Sequence, residues 1–307
     1  ALGKKLFYDP QLSANNARSC ASCHQPELAF TDGLVKSASL NGKPLNRNVP
    51  TLFYAALQQR HFYDQRSVSL EDQTQDVIQN RDEMHGSLPL ACAILMKDSA
   101  YLAQFQKAFP DLTEVQPRHV MNALASYERT LMPFDSRFDA YMRGEKTLLG
   151  DAEKRGFNLF MGKAKCGICH FMPIFNGTVP PQFTRSESEV IGVMTGPLSG
   201  TLDPDAGKGA NYPTLPDLTH AFKVPTVRNV ALTAPYMHNG AYRTLEEVVA
   251  FYNHGGAAGL GLSLPNQTLP ADPLHLNSRE QADLVSFLKA LTDRQLLPLK
   301  TGQLTSK

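Results

Sequence analysis

Apolar residues recur at helical rather than strand spacing along most of the 307-residue chain. Within 116–143, Val120, Leu124, Tyr127 and Leu131 fall three or four apart, the period of an amphipathic helix, and Pro133 predicts its end or a kink. Asp151 is placed to cap a helix running through Phe157 and Phe160. Thr244-x-x-Glu247 has the form of a capping box, with Gly255-Gly256 as the stop. Behind it Leu245, Val248, Val249 and Tyr252, at i, i+3, i+4 and i+7, share one face. Ser278-x-x-Gln281 predicts the start of a further helix, with Leu284, Phe287, Leu288 and Leu291 on one side. Alternating strand patterns are scarce. Segment 175–219 is rich in Pro, Gly, Ser and Thr and predicts an irregular but ordered excursion. The pattern is that of an all-α protein with long loops.

Composition adds boundaries to this picture. Apolar residues make up 42% of the chain, enough for ordinary cores, and the formal net charge of +1 argues against a nucleic-acid partner. No run approaches the roughly 20 apolar residues of a membrane span. The length suits two domains of about 150 residues. The polar stretch 144–150 marks the boundary, giving 1–147 and 148–307. The chain has no tryptophan.

Four of the five cysteines lie in two Cys-x-x-Cys-His strings, Cys20-Cys23-His24 and Cys166-Cys169-His170. This spacing puts two thiols on one helical turn, where they form thioethers with the vinyl groups of a haem, and the adjacent histidine faces the iron. Two rival readings exist. Four cysteines in two pairs suit a structural zinc, and a Cys-x-x-Cys pair suits a redox dithiol. Neither accounts for a histidine after both second cysteines. Two covalent haems c imply an exported, periplasmic bacterial protein whose signal is absent from this chain. Cys92, within an apolar helical stretch, reads as a small buried thiol.

At this point the sequence resembles the bacterial di-haem cytochrome c peroxidases and their MauG-type relatives over nearly its whole length. The strings that carry the resemblance begin with Leu2-Gly3-Lys4-Lys5-Leu6-Phe7-Tyr8-Asp9-Pro10, Ala29-Phe30-Thr31-Asp32-Gly33 and Arg47-Asn48-Val49-Pro50-Thr51. They continue with Lys223-Val224-Pro225-Thr226-Val227-Arg228-Asn229-Val230 and Thr233-Ala234-Pro235-Tyr236-Met237-His238-Asn239-Gly240. The resemblance implies two cytochrome c-like domains, one haem in each, joined at an interdomain seam, with haem 1 the centre that meets peroxide.

It also implies site residues. Family members that need reductive activation carry a distal histidine after the first proximal one. Segment 25–60 contains none, and His61, just before Phe62-Tyr63-Asp64, does not match, so haem 1 is expected to be open. Glu83 matches the distal acid–base glutamate and Gln73 a distal glutamine, while Val77 stands where the family usually has proline. At haem 2, Tyr252 matches the sixth ligand of the MauG branch, where peroxidases use methionine; Met237 and Met172 are the alternative donors. Tyr63 stands where the family places a hole-carrying tryptophan. Asn48 and the carbonyls of Thr233 and Pro235 match the ligands of an interdomain Ca²⁺. His220, His238, His254 and His275 are expected to be solvent-facing or satisfied, with His254 close to the second-haem pocket.

The function implied is that of a MauG-like oxidase. Hydrogen peroxide reacts at haem 1, high-valent iron is shared with haem 2, and an aromatic side chain, tryptophan by precedent, is oxidised on a periplasmic partner protein. The alternative is a peroxidase that reduces peroxide to water with electrons from a cytochrome c or cupredoxin. A non-enzymatic electron carrier would need closed irons, against the missing distal histidine and the presence of Glu83.

Overall fold

The computed structural model describes residues 1–301, with side chains through residue 297, so the last residues of the expected second domain lie outside the described residues. It is helical with long ordered loops. The first half holds α1 (Leu2–Phe7), α2 (Leu70–Gln79), α3 (Leu88–Leu95), α4 (Ser99–Ala108) and α5 (Pro117–Glu128). The second core is built by α7 (Asp151–Met161), α8 (Leu245–Asn253), α9 (Gly256–Gly259) and α10 (Ser278–Ala290), joined by α6 (Arg137–Met142), which precedes the boundary expected at 147 but packs with this core through Phe138. Among the described residues the only sheet is an antiparallel pair of two-residue strands, β1 (Ser188–Glu189) and β2 (Phe222–Lys223), with Ser188 opposite Lys223.

Each half has its own apolar core. One gathers Leu6, Phe7, Phe30, Leu52, Tyr101, Phe105, Val120 and Leu124. The other gathers Phe138, Phe160, Phe175, Leu245, Leu284, Phe287 and Leu288. In the second, Phe138, Phe160 and Phe175 all pack edge-on to Phe287 at ring separations of 5.3–5.9 Å. Truncating such a buried ring costs about 3–5 kcal/mol.

The two cores share a helix-crossing device. A side chain at Gly3 of α1 would meet the Ala123 carbonyl oxygen of α5 at 1.8 Å, and one at Gly156 of α7 would meet that of Asp283 in α10 at 2.0 Å. Each glycine lets two helix backbones touch. Cross-links tie the halves together: Arg47 donates to both Asp64 and Asp205, and Asp293 accepts from Tyr54 and Asn229 at 2.7 Å each.

Several boundaries depart from expectation. The long helix proposed for 116–143 ends at Glu128, ahead of Pro133, and restarts as α6. Asp151 is the first helical residue, with Gly150 as the cap. The capping box of α10 is formed by Asn277 and Glu280, one residue earlier than Ser278 and Gln281; Asn277 Oδ1 accepts from Glu280 N at 3.0 Å. The Thr244–Glu247 box is present as expected, Thr244 Oγ1 accepting from Glu247 N at 3.1 Å.

Candidate functional site

The Cys-x-x-Cys turns each form a short 3₁₀ helix, Cys20–Ser22 and Cys166–Ile168, and each leads into a half-buried histidine. His24 Nδ1 donates to the Phe30 carbonyl at 3.0 Å. His170 Nδ1 faces two carbonyls, of Phe175 at 3.2 Å and of Pro225 at 3.0 Å. A carbonyl only accepts, so Nδ1 carries the proton and Nε2 keeps its lone pair, the arrangement of an oriented metal-ligating imidazole. Burial lowers the pKa of both rings, which favours the neutral form that ligates.

Cys20, Cys23 and His24 line a cavity of about 1380 Å³, and His24 is its only lining histidine among the described residues. Gln73 and Val77 face it from α2, one turn apart. The same cavity takes in Glu83, presented by the loop that follows. Asn80 caps that turn: its Oδ1 accepts from Asp82 N at 3.0 Å, and its Nδ2 donates to Glu83 Oε1 at 2.9 Å. Burial raises the Glu83 carboxyl above the usual range, partly offset by the Arg66 guanidinium. A second carboxyl in this wall, Glu128 of α5, is more deeply buried, with Oε2 unpartnered and its pKa pushed up to about 7.

Cys166, Cys169 and His170 line a second, narrower cavity of about 310 Å³ with apolar walls that include Phe160, Leu276 and Leu284. All four residues of the α8 face, Leu245, Val248, Val249 and Tyr252, line it. Burial pushes the Tyr252 phenol well up, and the thiols of Cys166 and Cys169 add to this. A phenolate there therefore needs a cation beside it. Met237 also lines this cavity, whereas Met172 packs in the core alongside it.

Three predicted residues line both cavities: Tyr63, Asn48 and Gln73. Thr233 and Pro235 join Asn48 in the wall of the second. Asn48 Nδ2 donates to the Leu34 carbonyl at 2.8 Å, which directs its Oδ1 elsewhere. His61 is buried, its pKa down to about 4, and it lines the second cavity, not the first.

The rival readings of the cysteines lose support. The two pairs line different cavities and do not converge on one four-thiolate site. Burial pushes the Cys20, Cys166 and Cys169 thiols up to about 12, the opposite of an activated dithiol. Cys92 is a buried helical thiol, as expected.

Among the remaining histidines, His254 and His275 are exposed and His220 Nδ1 donates to the Asp205 carbonyl at 2.8 Å. His238 is different. It is buried, donates from Nε2 to Asp203 at 3.1 Å, stacks on Phe222 at 3.7 Å and leaves Nδ1 unpartnered. The sequence pattern also passed over Glu128 and Lys223. Both stand beside apolar or motif residues, and the only signal was a charged residue at a core position.

The donor set suits covalent haem: in each cavity two thiols one turn apart stand beside a carbonyl-anchored imidazole with Nε2 free. Comparison with known proteins agrees. Residues 1–147 match the family described as di-haem cytochrome c peroxidase. The chain is 35% identical over 292 residues to the methylamine utilization protein MauG of Methylorubrum extorquens, covering 95% of this chain and 77% of that protein. It is 33% identical to the cytochrome-c peroxidase IdrP1 of Denitromonas iodatirespirans, over 95% of this chain and 81% of the relative. A crystal structure of a MauG-like protein associated with microbial copper homeostasis superposes with a TM-score of 0.81 at 32% identity, over 96% of this chain and 89% of the other. The chain belongs to the di-haem cytochrome c peroxidase and MauG family, haem-dependent oxidoreductases that use hydrogen peroxide.

Proposed function

We propose that this enzyme is of the MauG type: it takes oxidising equivalents from hydrogen peroxide at the first cavity and uses them to oxidise an aromatic side chain, tryptophan by preference, of a partner protein. The observation that carries this reading is Tyr252, a phenol on α8 that shares a cavity with His170. Two haems c, one in each half (1–147 and 148–307), supply the iron centres that accept and hold those equivalents.

The protein's part is proton handling and placement. Glu83, held by Asn80 and raised by burial, takes the proton from the inner oxygen of peroxide and returns it to the outer one, which leaves as water. Gln73 orients the peroxide. With His24 the only histidine lining this cavity among the described residues, no second imidazole would compete with peroxide for a haem held there. In the second cavity Tyr252 supplies an anionic oxygen, a hard donor that favours high oxidation states over the reduced one. Tyr63, lining both cavities, is the relay between them. Asn48 Oδ1 and the carbonyls of Thr233 and Pro235 offer an all-oxygen set suited to Ca²⁺ at the same seam. Covalent haem places the protein in the periplasm.

The competing activity is steady-state peroxide reduction fed by a small cytochrome or cupredoxin; the Denitromonas relative carries the name cytochrome-c peroxidase. Adding one equivalent of peroxide to the fully ferric protein separates the two. The MauG type predicts a long-lived change in the optical and EPR spectra of both centres and slow turnover with a small cytochrome donor. In Tyr252→Phe the second centre's ferric spectrum changes. An unchanged spectrum removes Tyr252 as a ligand, and fast donor oxidation makes the protein a scavenger.

A further inference from the structure

Lys223 is a half-buried cation with no carboxylate of the protein beside it. It follows Phe222 in β2, and its main-chain N–H donates to the Tyr63 carbonyl at 2.7 Å. Its ammonium donates to Gln58 Oε1. Burial alone brings its pKa down to about 8, with no carboxylate near enough to raise it, so it remains charged at neutral pH. An ammonium withdrawn from water without a counter-ion is unfavourable, so such a site favours an anionic partner.

The side chain lines the second cavity, and the cavity's other charges leave it unmatched. Glu189 is the cavity's one acidic lining residue among those described, and it sits at the attachment end, grouped with Cys169 and Glu187. Neither Cys166 nor Cys169 feels the charge of Lys223, whereas His61, at the end formed by the first half, does. Lys165 is exposed, and His238 is matched by Asp203. One cation is thus left over at the end of the cavity away from the cysteines, flanked by Gln58 and His61.

A haem held by thioethers at its vinyl edge presents two carboxylates at the opposite edge. We propose that Lys223, with Gln58 beside it, is a carboxylate-binding subsite that holds a propionate of the second haem at the interdomain seam. This rests on the reading that the second haem is attached at Cys166 and Cys169. The role of Lys223 is then electrostatic, because a fixed positive charge beside the haem edge disfavours the ferric state and raises that centre's reduction potential. It also links the second haem to the Tyr63 segment through the Lys223 main chain.

The test is spectroelectrochemical titration of the holoprotein, with haem content measured in parallel. Lys223→Met is expected to lower the potential of the second centre and leave that of the first in place; Lys223→Arg is expected to keep the wild-type value. Lys223→His covers the case in which the methionine variant does not mature. Its second-centre potential is expected to fall as pH rises through the imidazole range, a step the wild type lacks and a packing role would not create. Two haems per chain with a second-centre potential that is unchanged in Lys223→Met, or pH-independent in Lys223→His, overturns the assignment. One haem per wild-type chain overturns the di-haem reading instead.

Discussion

The two cavities are entered through the same Cys-x-x-Cys-His turn, and each proximal histidine is locked by main-chain carbonyls, yet their remaining walls differ in kind. The first is roomier and more polar, lined by several carboxyls, Glu83 and Glu128 among them, and by the charges of Arg47 and Arg66. The second is smaller and lined largely by Leu, Val, Phe and Pro, with Tyr252 in its wall. Attachment and proximal ligation are what the halves share. On the proposed reading, the chemistry is set by what lines each cavity beside the histidine: Glu83 as proton-transferring group in one, Tyr252 as oxygen donor in the other. Under the proposed function, a repeated attachment turn would divide one reaction between a centre that meets peroxide and a centre that stores its oxidising power.

The sharpest way to break this division is Glu83→Gln, which keeps shape and removes the base. We expect the rate of reaction with peroxide to fall by about 10²–10⁴-fold, the usual contribution of a positioned acid–base group. Tyr252→Phe should leave this first rate nearly intact. Burial raises the Glu83 pKa and the unprotonated form is the active one. The wild-type rate should therefore climb as pH passes through that raised value and then level off, while the variant shows no such climb. Stopped-flow mixing across pH reads both effects. A Glu83→Gln protein that reacts at the wild-type rate would erase the distinction between the cavities.

Glu128 sharpens the contrast through stability. Its carboxyl is raised from 4.5 to about 7 by burial, with Arg129 opposing and Glu71 adding to the shift. The folded state holds the proton more tightly than the unfolded one. The group's stabilising contribution is thus complete below about pH 4.5 and disappears as pH rises through about 7. Over that window the change amounts to roughly 3 kcal/mol. Glu128→Gln should remove this slope and leave the variant more stable than the wild type at pH 8. Denaturant unfolding of the holoprotein at pH 5 and pH 8 measures it; parallel losses in both proteins would show that Glu128 finds a partner in the holoprotein.

Much of this was legible in the sequence, for specific reasons. The α8 face could be read because its capping box and its i, i+3, i+4, i+7 spacing are local, and the same four residues line the second cavity. The attachment turns could be read because the chemistry demands contiguous residues. Helix limits were misplaced where two residues compete to cap, as at Asn277 and Ser278. His238, Glu128 and Lys223 escaped because their meaning lies in absence. Each is drawn in beside residues far away in sequence, and what marks it is an unpartnered atom or a missing counter-charge, which no spacing encodes.

Tyr63 offers the finest test, because it belongs to both cavities. Burial raises its phenol, and the Arg47 guanidinium is the one charge that lowers it. Removing an electron from such a phenol requires its proton to leave as well, whereas an indole gives up an electron and keeps its proton. Transfer between the centres should therefore slow in D₂O in the wild type. Tyr63→Trp should speed it by about tenfold, equivalent to roughly 1.4 kcal/mol of barrier, and abolish the solvent isotope effect. Tyr63→Phe should slow it by a similar factor. The measurement is the delay between the spectral changes of the first and second centres after peroxide is mixed in. If all three proteins show the same delay in H₂O and D₂O, electrons pass between the cavities without using residue 63, and the shared wall is only a seam.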